Sequence, residues 1–145
     1  MKVLILFIVG VLVCAQTVLA GDKVKTEILT QDSVSWDGGG FNYPVGKSEI
    51  SIVKITVPNG VEISEHCHPM PLAAYVVRGA ITVTTSSGKK RTFQQGEAFV
   101  EVMNTWHKGA GVGKETELIV FYAGQERLPL SVKRNGDSVL ANKCH

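Results

Sequence analysis

From Glu49 to Ala123 the chain is written in short apolar runs separated by turn residues. Ala80 to Thr85 alternates, with Ile81 and Val83 on one parity and Thr82 and Thr84 on the other, the pattern of a strand with one buried face. Ser86-Ser87-Gly88-Lys89 reads as a hairpin tip and Arg91 to Gln94 as the returning strand. Gln95-Gly96-Glu97 turns the chain into a further strand, Ala98 to Val102. Glu49 to Val57 and Glu117 to Ala123 are apolar on both parities, which predicts cover on both faces, by core on one and by another sheet or subunit on the other. Pro58-Asn59-Gly60 ends the first of these with turn chemistry.

Val61 to His68 and Ala73 to Arg78 read as strands either side of a corner at Pro69 and Pro71. Outside this block the pattern predicts an edge strand within Val24 to Leu29 and a loop at Ser35 to Gly40. It further predicts a flexible loop around Gly109, Gly111 and Gly113, a last strand at Leu128 to Val132, and a loose tail ending at a disordered His145. No stretch carries a convincing helical period. Many short strands between turns make an all-β sandwich or barrel, in a single domain.

The chain has 145 residues and a formal net charge of +2, with no basic stripe, so nucleic acid is not an expected partner. Met1 to Ala20 joins a short positive start at Lys2 to an apolar run and the small residues Val18 and Ala20. That is the pattern of a secretory signal peptide cut after Ala20, leaving a periplasmic or secreted domain at 21–145. A membrane partner enters only through an uncleaved signal. Once Cys14 leaves with the signal, Cys67 and Cys144 remain in an oxidising compartment, a pair that permits a disulfide without demanding one. With Cys144 so near the chain end, Cys67 reads rather as a buried free thiol.

The candidate chemistry lies beside that cysteine. His66 and His68 sit two apart in a strand, so both imidazoles leave the same face and Cys67 leaves the other. His107 follows after several strands and could fold back to complete a three-histidine site for a divalent transition metal, with Fe, Zn, Cu and Ni suiting imidazole. Glu62 shares the parity of the two histidines and, with Met70 and Tyr75, is a candidate for the pocket wall; Glu65 alternates away from them. No P-loop or nucleophile elbow is present, and the sequence indicates no catalytic residue.

Gly60, then His66-Cys67-His68, then Gly79 resembles the first motif of the cupin superfamily, and Gly96 followed by Trp106-His107 resembles its second. The short spacer from Gly79 to Gly96 is similar to that of small single-domain bacterial cupins, and the resemblance runs from about Glu49 to Gly124. It implies a double-stranded β-helix, or jelly-roll barrel, with a metal inside and a homodimer formed through an edge strand. The glutamate that such first motifs carry after the second histidine is missing, its places taken by Leu72 and Ala73. In the second motif Val102, Asn104 and Gly111 replace the usual proline, glycine and asparagine. The resulting expectation is an exported cupin holding a metal on His66, His68 and His107 and acting on or binding a small molecule. If it is an enzyme, dioxygenase-like or hydrolytic chemistry is expected. The alternative is a barrel without its metal that binds a small ligand or serves oligomerisation.

Overall fold

The computed structural model describes residues 23–135 and 138–145. The expected signal peptide and Cys14 lie outside them. Among the described residues nine strands form two antiparallel sheets. The first sheet has the order β1 (Ser48–Val57), β8 (Thr116–Gln125), β3 (Leu72–Arg78), β6 (Ala98–Val100). The second runs β5 (Lys90–Gln94), β4 (Ala80–Thr85), β7 (His107–Gly111), β2 (Glu62–Cys67), β9 (Val132–Lys133). Strands adjacent in sequence mostly lie in opposite sheets, which rolls the chain into the double-stranded β-helix that the resemblance implied.

The two sheets face each other across a core of Val57, Leu72, Val76, Ile81, Val83, Phe93, Phe99, Leu118 and Val120, with Met70 and Tyr122 at one end. Phe93 is fully buried and stacks on Phe99 with ring centroids 3.6 Å apart. The Ala80–Thr85 alternation is half right. Ile81 and Val83 face the core, but Thr82 and Thr85 are buried as well, because β4 is an interior strand flanked by β5 and β7. Gly60, Gly79, Gly88 and Gly96 turn the chain at positive φ. Only at Gly79 does packing add a second demand, since a Cβ there would meet the Glu115 carbonyl at 2.8 Å.

Several expectations are corrected. Val24 to Leu29 forms no strand; Val24 and Ile28 stay exposed, and no sheet edge pairs with them. Gly109 and Gly111 do not belong to a loop but to β7, between β4 and β2. A Cβ on Gly109 would stand 3.3 Å from both Ile63 and Ile81, so glycine is there to let side chains from the neighbouring strands close over the backbone. The last strand is displaced to Val132–Lys133, with Leu128 and Leu130 packed on the core instead.

The tail is not loose. It makes one helical turn, α1 (Ser138–Ala141), and Cys144 is disulfide-bonded to Cys67, which overturns the free-thiol reading. Trp106, Val132, Leu140 and the bridge form a small second core behind β2. His145, expected to be disordered, gives its N–H to the Asn104 carbonyl and takes the N–H of Trp106.

Candidate metal centre

β2 and β7 lie side by side, with His66 paired to His107 in the register. His68 follows just beyond the end of β2. The topology thus brings together the three imidazoles that the sequence separates, with ring centroids 4.4 to 5.0 Å apart. Their ligand atoms all lie within 4.8 Å of one another. His68 and His107 are buried and His66 is partly so.

Hydrogen bonding fixes which nitrogen is offered. Nδ1 of His66 contacts the Ser64 carbonyl at 2.8 Å, Nδ1 of His68 the Leu130 carbonyl at 2.7 Å, and Nδ1 of His107 the Thr105 carbonyl at 2.8 Å. A carbonyl can only accept, so each Nδ1 carries the hydrogen and each neutral ring keeps a lone pair on Nε2. Burial holds all three imidazoles below their ordinary range; His107 pushes His66 and His68 down further, and His68 lies well below it. Three neutral rings therefore face one another with three lone pairs and no proton to share. A cation resolves that arrangement, so the residues fit a divalent metal bound through imidazole, with carbonyls as the outer partners that orient the rings.

The histidines open on a cavity of about 70 Å³ whose walls include Ile55, Ile63, Leu72, Phe99 and Val120. A water needs roughly 10–15 Å³ by this kind of measure, so the space suits a few waters or a ligand of few atoms. It is far below the roughly 300–1,000 Å³ of drug-sized sites.

The three pocket-wall candidates lie elsewhere. Glu62 is exposed and pairs with Lys108 at 3.1 Å. The reason is a register shift between Ile63 and His66, which breaks the alternation and puts Ile63, not Glu62, on the histidine side. Met70 is buried in the main core. Tyr75 is exposed on β3 and points away from the barrel interior. Glu65 is exposed and bonded to Arg134 at 2.6 Å, on the side away from the histidines.

Two residues that sequence reasoning missed line the cavity. Glu101 is buried just after β6, and Oε1 of its carboxylate accepts the Trp36 indole N–H at 2.8 Å and the Val102 amide at 2.8 Å. Burial raises its pKa above the ordinary carboxylate value. The signal was parity: in Ala98-Phe99-Val100-Glu101 the acid falls on the same face as the buried Phe99. Tyr122 stands 5.6 Å from His68 by ring centroids, and burial together with the Glu101 charge pushes its phenol to about 12. It is a neutral hydroxyl at the cavity wall.

A barrel of two antiparallel sheets with three inward histidines defines the class. The family model described as Cupin domain matches residues 53–123, so that part of the chain is a cupin domain. Among solved structures it is similar to a cupin-like protein from Thermotoga maritima, at 16% identity over 66% of this chain and 72% of that one, TM-score 0.51. It is also similar to an RmlC-like cupin with a double-stranded β-helix fold from Methanocaldococcus jannaschii, at 15% identity over 71% and 88%, TM-score 0.50. Oxalate decarboxylase from Bacillus subtilis, whose Mn(II) centres have been characterised, matches at 22% identity over 60% of this chain and 24% of that one, TM-score 0.50. Identities at this level speak for the fold. No curated protein sequence matches the chain significantly.

Proposed function

We propose that this chain is an exported cupin that binds a divalent transition metal on Nε2 of His66, His68 and His107 and holds a small molecule against it. One observation carries the reading: each Nδ1–H is committed to a backbone carbonyl, which leaves three unprotonated nitrogens facing one another. When bound, such an ion polarises an oxygen of the ligand or acidifies a coordinated water.

The chain's own residues do the rest. The backbone carbonyls of Ser64, Leu130 and Thr105 lock the ring orientations. Apolar side chains line much of a space of about 70 Å³ beside the histidines, and Tyr122 offers a neutral hydroxyl there. An all-imidazole set favours Fe, Zn, Cu or Ni over Mg or Mn. Export is supported by the signal pattern of residues 1–20 and by a disulfide of a kind that persists in oxidising compartments.

The test is elemental analysis of protein purified without added metal, followed by zinc titration of the stripped form. About one equivalent is expected in the wild type and a loss of most of it in His66→Ala and His107→Ala. A folded wild type that contains no metal and takes none up would rule the centre out. Mass spectrometry of the exported protein is expected to give a chain beginning at Gly21.

A further inference from the structure

The proposed centre leaves a charge question. Three neutral imidazoles offset none of the +2 of a divalent ion. The backbone amide of Glu101 donates to the carbonyl of Leu72 at 3.0 Å. The acid thus lies directly beside Leu72, which lines the same cavity from β3. Among the described residues Glu101 is the one acid that lines the histidine cavity.

We infer that Glu101 is the carboxylate of this centre, supplied across the sheet rather than from the histidine segment. The inference rests on the proposed metal site and adds the residue that balances it. Two features show that the carboxylate is built in rather than stranded. Its Oε1 is held by the Trp36 indole and the Val102 amide. Trp36 is itself pinned, its backbone N–H bonded to the Val100 carbonyl at 3.0 Å and its ring edge-on to Phe93. This gives the Ser35 to Gly40 loop a purpose: it carries the indole N–H to the carboxylate.

Both hydrogen bonds fall on Oε1, so Oε2 has no hydrogen-bond partner among the described residues. Yet among the described residues no buried side-chain oxygen lacks a partner, so Oε2 retains contact with accessible space. The ligand atoms that cluster within 4.8 Å belong to the three histidines alone. Glu101 therefore acts from beside them: it offsets the metal's charge and accepts a hydrogen bond from whatever completes the coordination. A fixed acceptor there selects a ligand with a proton to give, such as water, an alcohol or an enol, over a bare carboxylate.

The test is zinc affinity of stripped wild type, Glu101→Gln and Glu101→Asp by calorimetry, with melting curves of each zinc-free form. Glu101→Gln keeps the shape and an acceptor for the indole, and is expected to bind zinc about 10- to 100-fold more weakly. Glu101→Asp keeps the charge and is expected to recover part of that loss, whatever the order of the zinc-free melting temperatures. Glu101→Gln within about twofold of wild type, or Glu101→Asp as weak as Glu101→Gln, overturns the assignment while leaving the histidine centre intact. A wild type that binds no zinc removes both. If Glu101→Gln does not fold, Trp36→Phe removes the anchoring N–H along with part of the ring; weaker zinc binding by that variant supports the assignment, and unchanged binding overturns it.

Discussion

Cys67, the residue between His66 and His68, is bonded to Cys144, one position from the end of the chain, with Cα atoms 6.4 Å apart. The bridge ties the back of β2 to the tail, and the tail in turn holds Asn104 and Trp106, just before His107, through the backbone of His145. Both arms of the metal centre are thus fastened from behind by one strap.

Closing a loop across 77 positions restricts the unfolded chain strongly, worth about 2–4 kcal/mol. Reduction, or Cys144→Ser, is expected to lower the unfolding free energy by that amount and to expose the tail to proteolysis. Denaturant melts with and without reductant measure the first effect. Coincident curves would show that the strap contributes nothing.

Gly79 and Gly88 make a paired test of the turns. Both have positive φ, at 75° and 87°, so an alanine at either meets the left-handed penalty of about 1–2 kcal/mol. A Cβ at Gly88 touches nothing within 4 Å, whereas at Gly79 it would press on the Glu115 carbonyl and on Thr116. Gly79→Ala is therefore expected to cost clearly more than Gly88→Ala, by about 1 kcal/mol or above. Equal shifts in the two melts would mean that the close approach at Gly79 relaxes freely.

Much of this architecture was legible because alternation survives where strands are regular. Ile81 and Val83 point inward as read, and His66 and Cys67 do leave opposite faces of β2. The reading failed where regularity failed. One register shift between Ile63 and His66 was enough to move Glu62 out of the cavity. Glu101 was legible by the same parity, since Phe99 marks its face as buried. The disulfide was beyond reach for another reason: nothing in the local pattern around Cys144 says that the tail returns to β2. That return depends on packing among Trp106, Val132 and Leu140.

The outer face of the four-stranded sheet bears on assembly. Across it Ile52, Phe121, Ala73 and Val100 are register neighbours, one per strand, with Ile119 and Tyr75 in the next row. Ile52 is 68% exposed and Phe121 40%. We propose that this row packs against a second copy, as the apolar runs on both parities of β1 and β8 imply. Phe121→Glu is expected to convert a dimer to a monomer in sedimentation, with the monomer's fold kept. A wild type that sediments as a monomer at tens of micromolar excludes the pairing.

The same burial that prepares the histidines for a metal makes the metal-free protein sensitive to acid. Folded, the three imidazoles resist protonation, with pKa values below the 6.5 they regain on unfolding. Between those depressed values and 6.5 the unfolded chain binds more protons, so stability rises with pH through that window and is fully present above it. Glu101 works in the opposite sense. Its raised pKa makes the folded form bind the extra proton above 4.5, so its contribution falls as pH rises from there. Three groups against one give the histidines the larger slope. Melting temperatures of stripped protein are expected to fall as pH drops from 7 to 5. His68→Gln should flatten the decline most, because His68 is displaced furthest. A stripped wild type whose melting temperature stays level over that range would mean that the imidazoles are not held neutral, and the lone-pair arrangement behind the proposed centre would go with it.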